Sequence, residues 1–270
     1  MNGIIDIRFA HLVAAYFFVL IVLGMLRKRK IGKETELIIA VFRMTIQLVL
    51  VGYILDYIFG SQNMWLTLLA VGIMEVFAVR NVYQRVKINM SPAFRKVVAY
   101  SMAFGTLLSM AFFFYVVLSL KPWYSPRYVI PLAGMLIGNS MTGITLGTER
   151  LLDGVRSNRH LIEGALMLGA TPERAAQNVV NNAFSSAILP TINSMVGMGI
   201  VFLPGMMTGQ ILSGTSPLIA IEYQIAIMLG ILGSVALTVF IMVNQGVKTF
   251  FNSRAQLVLT ETPKNGRETK

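Results

Sequence analysis

Long apolar runs alternate with short polar segments through most of this chain. Seven runs are candidates for membrane spans: 9–26, 37–59, 64–79, 97–120, 128–147, 183–212 and 218–243. A helix needs about 20 apolar residues to cross the hydrocarbon core of a bilayer. In lipid only helices and closed barrels satisfy their own backbone groups. The pattern therefore predicts an all-α polytopic membrane protein with seven transmembrane helices. The run at 183–212 is long and is interrupted by Pro190 and Pro204.

Composition strengthens this reading. Hydrophobic residues make up 55% of the 270 positions, charged residues 13%, and the mean hydropathy is +0.68. A soluble domain carries about a quarter charged residues. Asp6 and Arg8 precede the first run and no small-residue cleavage site follows it, so that run is read as a span and not as a cleaved signal. The chain has no cysteine, which excludes disulfides and thiolate chemistry.

The net charge of +11 is explained by where the charges sit, and it calls for no nucleic-acid partner. Assigned to alternate faces, nineteen Lys and Arg fall on one side, and only Arg8, Lys121 and Arg127 on the other. Cytosolic loops carry the excess of basic residues. The expected orientation is N-terminus outside and C-terminus cytosolic. Residues 1–247 then form the transmembrane domain, with a cytosolic polar segment at about 150–182. Residues 248–270 form a polar tail, expected to be disordered.

Several residues within the runs are chemically conspicuous. Arg43 and Glu75 lie at similar depth, which suggests a buried ion pair, with Gln47 one turn from Arg43 completing a polar network. Asp56 and Glu222 lie near the outer ends of their runs, as cation ligands or as solvated interfacial carboxylates. Met135, Met141, Met206 and Met207 offer thioethers, and Asn139 and Gln210 offer oxygen donors. Methionine serves either soft metals or adaptable packing. Pro204 and Gly205 within a run point to a broken helix lining a pathway; with Gly138, Gly143 and Gly209 they equally suit close helix packing.

Catalysis within the chain is not expected. Gly32-Lys33 is followed by Glu34 and does not form a phosphate-binding loop. The two histidines, His11 and His160, fall on opposite faces, so an intramembrane enzyme would lack a catalytic pair. No cofactor is expected in this chain.

The polar segment carries the most specific signal. Residues 163–174 read Glu-Gly-Ala-Leu-Met-Leu-Gly-Ala-Thr-Pro-Glu-Arg. Glu163, Ala165 and Gly169 have the spacing of the E-A-A-x-x-x-G pattern that docks ABC-transporter membrane subunits onto their ATPase, with Gly164 in place of the first alanine. Leu168, Ala170, Thr171 and Pro172 complete it. A glycine inside a helix costs up to about 1 kcal/mol, so Gly164 and Gly169 suggest a surface that a partner approaches closely. Thr171, Pro172 and Glu173 read as a fresh helix start.

Longer strings extend the likeness to about residue 255. Ile130-Pro-Leu-Ala-Gly-Met135, Gly138-Asn-Ser-Met-Thr-Gly143, Pro190-Thr-Ile-Asn-Ser194 and Leu203-Pro-Gly-Met-Met-Thr-Gly-Gln-Ile-Leu-Ser-Gly214 resemble the FetB (YbbM) family of ABC permeases. The resemblance implies a bacterial inner-membrane, multi-pass permease that exports iron. It implies a homodimer of this chain paired with two copies of a FetA-type ATP-binding subunit, which would hold ATP and Mg. Plant members of the family are linked to UDP-glucose, so a nucleotide sugar or other small metabolite is the alternative cargo. One departure stands out. Importer permeases place a Leu-Pro pair about a dozen residues after the motif glycine, where this chain has Asn181-Asn182; its Leu189-Pro190 comes eight residues later.

Overall fold

A computed structural model describes residues 9–86 and 88–258. Among them the ordered elements are helices: α1 (Phe9–Ala15), α2 (Phe17–Lys28), α3 (Glu34–Ser61), α4 (Met64–Arg85), α5 (Pro92–Phe112), α6 (Pro126–Ser157), α7 (Arg159–Met167), α8 (Pro172–Ala175), α9 (Gln177–Gly197), α10 (Gly205–Leu212) and α11 (Pro217–Lys248). A π-helical turn, Phe113–Val117, extends α5. The starts follow local chemistry. Asn63 Oδ1 accepts from the Trp65 N–H at 2.9 Å, and Ser91 Oγ accepts from the Phe94 N–H at 3.2 Å. Prolines open α5, α6, α8 and α11, where their missing N–H has no partner to lose.

Six stretches are long and apolar enough to cross a membrane: His11–Lys28, Glu34–Ser61, Met64–Arg85, Pro92–Val117, Pro126–Ser157 and Pro217–Lys248. The protein is an all-α, multi-pass membrane protein.

Small residues let the central helices approach closely. A Cβ on Gly143 of α6 would lie 2.7 Å from Val235 of α11, and one on Gly246 of α11 would lie 2.6 Å from the Phe94 ring of α5. Hydroxyls join the same helices, with Ser140 Oγ and Ser234 Oγ 2.9 Å apart. By contrast α2 and α3 lie outside this core. Ile58 is the one buried residue of α3, and none of α2 is buried. A 2.6 Å hydrogen bond between Tyr16 Oη and Thr45 Oγ1 links the α1–α2 junction to α3.

The basic segments gather at one end of the bundle. Tyr83 Oη donates to the Arg95 carbonyl at 2.6 Å, and the Phe94 and Phe250 rings lie 5.5 Å apart. A Cβ on Gly154 of α6 would meet Val179 of α9 at 2.6 Å. These contacts bring the C-terminal ends of α4, α6 and α11 together with the N-terminal ends of α5 and α9.

Three expectations change shape. The run at 183–212 is not one helix. It comprises most of α9, a non-helical stretch at 198–204, and α10. Pro190 sits inside α9 without ending it, while Pro204 caps α10. The expected span 128–147 is only part of α6, whose 32 residues reach about 48 Å, against the roughly 30 Å of hydrocarbon. Its last turns stay helical because Leu151, Leu152 and Val155 remain buried after the helix has outrun the hydrocarbon. Finally, order continues past residue 247. Phe250 is buried, and the Val258 N–H bonds the Phe250 carbonyl at 2.7 Å. The rest of the expected tail, 259–270, and the segment 1–8 lie outside the described residues.

Candidate docking segment and transport face

The polar segment between α6 and α9 folds as α7, a turn and the single-turn α8. Buried Ile162 roots α7 in the core. Glu163 Oε1 accepts from Arg159 Nε at 2.8 Å along the helix. The turn is a helix-ending motif: the Ala170 N–H bonds the Ala165 carbonyl and the Gly169 N–H bonds the Leu166 carbonyl, each at 3.0 Å. Gly169 has φ +87°, the left-handed conformation this motif requires. Its glycine is therefore accounted for by backbone geometry. Gly164 does lie within α7, and a Cβ there would meet nothing within 4 Å. Thr171 caps α8 as expected, its Oγ1 accepting from the Arg174 N–H at 3.4 Å, with Pro172 and Glu173 in the first turn.

Three large apolar side chains crown this segment. Leu161, Met167 and Leu168 are 72, 87 and 91% exposed. Leu168 belongs to the sequence motif. Leu161 and Met167 escaped sequence reasoning, although their signal was present: α7 has more apolar residues than Ile162 and its core-facing neighbours need.

The expected Arg43–Glu75 pair does not form. Glu75 points inward, where its Oε2 accepts from Thr106 Oγ1 at 3.0 Å and its Oε1 has no partner. Arg43 and Gln47 are exposed in the single chain rather than buried. The Arg43 guanidinium lies 5.6 Å from the centre of the Phe77 ring. The cause is azimuth. Glu75 shares the inner face of α4 with Val71, Ala78 and Val82. Phe77, two residues on, is about 200° around the helix and faces outward to α3. Asp56 is exposed on α3. Glu222 lines an apolar cavity of about 790 Å³ between α5 and α11, beside Phe112 and Leu229.

A polar face runs along α6 and α9. Asn139, Thr142 and Asp153 of α6 are exposed, with Met135, Thr145 and Glu149 half-buried beside them at helical spacing. On the first half of α9 the exposed residues include Asn178, Asn182 and Ser185; the same stripe continues as Leu189, Ile192 and Val196, with Asn193 beside them. At the basic end the two helices enclose a cavity of about 270 Å³ whose lining includes Arg150, Asp153, Asn158, Asn182 and Ser186. Sequence reasoning found Met135 and Asn139 but missed the α9 residues, because their polarity reads as loop until the helix is known.

The second string expected at the pathway behaves differently. α10 packs on α11; Met207 is buried and Met206 packs against the core, as do Met135 and Met141. Gly205 and Gly209 lie on the exposed side of α10, while half-buried Gln210 shares the side of Met206 and Met207. Pro204 starts a helix instead of breaking one, its carbonyl accepting from the Thr208 N–H at 2.9 Å. Before it, Ile200 and Val201 are 90 and 81% exposed in the non-helical stretch. Among the described residues no three His, Asp or Glu side chains group as a cation site.

The model of "Uncharacterised protein family (UPF0014)" matches residues 9–251. Among similar proteins is the "Probable iron export permease protein FetB" of Escherichia coli, 34% identical over 94% of this chain and 96% of its own. "UPF0014 membrane protein YjkA" of Bacillus subtilis is 36% identical over 90% of this chain and 96% of its own. "Protein ALUMINUM SENSITIVE 3" of Arabidopsis thaliana is 34% identical over 90% of this chain and 88% of its own. No solved structure matches.

Proposed function

Because the chain belongs to the UPF0014 family of membrane proteins, we propose that it is the membrane-spanning permease subunit of an ABC exporter for iron or a related metal. The observation that carries this reading is the α7–α8 segment, where Leu161, Met167 and Leu168 stand exposed at the basic end of the bundle. Exposed apolar side chains on a polar segment suit a cleft in a partner protein. The partner is a FetA-type ATPase, in two copies, which binds ATP and Mg. The basic end is cytosolic, by the excess of Lys and Arg there. ATP-driven movement of the partner pushes on α7, and Ile162 passes the load to α6 and the core.

Two copies of the chain face each other across the α6–α9 surface. Its amides and hydroxyls line a path at the dimer axis, since polar side chains in a span face protein or water. A nucleotide sugar is the second reading, supported by that same set of amides and hydroxyls, which suits a cargo rich in hydroxyls. The reconstituted complex decides between them. Ferrous iron should stimulate its ATPase activity; stimulation by UDP-glucose and by no metal would select the second reading. Leu168→Asp should leave insertion intact and abolish co-purification of the ATPase. Normal co-purification and transport in that variant would remove the docking assignment.

A further inference from the structure

The outer side of the α3–α4 hairpin carries two adjoining cavities of opposite chemistry. The first, about 340 Å³, is lined by Arg43, Phe77, Arg80, Asn81 and Gln84. It holds two guanidiniums and two amides and no carboxylate. Neither arginine has an ion-pair partner among the described residues. The second, an open groove of about 910 Å³, shares Phe77 and Arg80 with the first. From there it runs along α4 past Val76, Ile73 and Leu69 to Trp65. Except for half-buried Asn81, these side chains are exposed in the single chain.

Depth places the pair in the bilayer. Arg43 and Arg80 each lie about 18 residues from the hairpin turn at Gln62–Asn63, roughly 27 Å along either helix. The hydrocarbon core is about 30 Å thick. With the turn at one boundary and Trp65 in its aromatic belt, both guanidiniums reach the opposite headgroup boundary. The groove from Trp65 to Phe77 spans about 18 Å of helix, comparable with one extended acyl chain. A charge at the edge of the hydrocarbon is favoured by a counter-charge, and the described residues place none beside this pair.

We propose that this composite site binds an anionic phospholipid, its phosphate held by Arg43 and Arg80 and one acyl chain lying along α4. Planar guanidiniums pair with phosphate oxygens through two parallel hydrogen bonds. Phe77 holds Arg43 in place from below, and Asn81 and Gln84 offer further donors to the headgroup. The occupant also has a structural role: α3 buries only Ile58 against the chain, and a lipid bridging Arg43 to Arg80 ties it to α4. The site is independent of the cargo and of the ATPase partner.

Native mass spectrometry of the purified full chain in neutral detergent tests this with phosphatidylglycerol against phosphatidylcholine. The wild-type chain should retain phosphatidylglycerol in preference. Arg43→Gln with Arg80→Gln should lower that retention by about tenfold or more. Lys28→Gln, an exposed basic-end residue outside the cavity, should keep the preference. A second variant leaves both arginines in place: Gly72→Phe fills the groove at a position where a Cβ meets nothing within 4 Å, and it should weaken retention of long-chain lipid. Equal retention of the two lipids by the wild type would overturn the proposal. So would an equal loss in Lys28→Gln, unchanged retention in Gly72→Phe, or displacement of the lipid by millimolar inorganic phosphate, which would mark a site for the free anion.

Discussion

Two open faces of this chain differ in kind. On the outer surface of α2, α3 and α4 the exposed residues are mostly apolar, among them Phe17, Leu20, Phe42, Leu48, Tyr53 and Ile73, with Arg43 and Arg80 at the basic end. Along α6 and the first half of α9 they include Asn139, Thr142, Asn182 and Ser185, and only from Leu189 onward does the α9 stripe turn apolar. In water the first face would be the liability and the second unremarked. In a bilayer the order reverses, since lipid solvates apolar side chains without cost and leaves amides unsatisfied. Exposure in a membrane chain therefore has to be read with its chemistry: the outer face meets lipid, and the α6–α9 face needs water or a second protein surface.

The strongest way to break the comparison is to exchange the two chemistries. Leu50→Asp, near the middle of α3, should cost about 3 kcal/mol of insertion free energy. Glycosylation-mapped insertion of that span would show it, and unimpaired insertion would mean that α3 does not face lipid. Next come two glycines of α6. Gly143→Leu must displace Val235, and overpacking of this kind costs about 1–3 kcal/mol. Gly138→Leu enters open space on the polar side and should leave the melting temperature in detergent unchanged while it slows transport. Equal destabilisation by both would show that the α6 face is packed within the single chain.

A smaller effect is expected where the polar face is proposed to meet cargo. Asn139→Leu and Asn182→Leu should insert and fold normally yet lower transport about tenfold, the equivalent of roughly 1.4 kcal/mol. Wild-type transport in both would move the path elsewhere. The smallest effect is an interaction energy. Arg43→Ala and Glu75→Gln should destabilise additively, within about 0.5 kcal/mol. The residues have separate partners, Phe77 and Thr106. A coupling well above that in a thermal-unfolding cycle would restore the ion pair.

Much of the fold was legible because hydropathy over a window reports depth in a bilayer. That sufficed for the helical class, for the spans in α2 to α6 and α11, and for the gathering of basic segments at one end. Thr171 and Pro172 were legible for a local reason: capping depends on a few adjacent residues. The α9–α10 region was not. Its Asn and Ser residues lower the hydropathy that marks a span, and Pro190 mimics a break that the helix absorbs. Gly169 was found as part of a motif, but its physical role lay in a φ angle that spacing does not report.

By itself the sequence determined most of the segments that can enter the membrane, which end of the bundle is basic, and where the polar segment of α7 and α8 lies, because each depends on residues near one another along the chain. Tertiary structure alone decided which side of each helix meets what. Glu75 and Phe77 stand two positions apart, yet one reaches Thr106 in the core and the other lies under Arg43 at the surface. A helix turns about 100° per residue, so depth can be read from order along the chain. The partner at that depth depends on how the neighbouring helices are arranged around it, and here close contacts such as those at Gly143 and Gly246 set that arrangement.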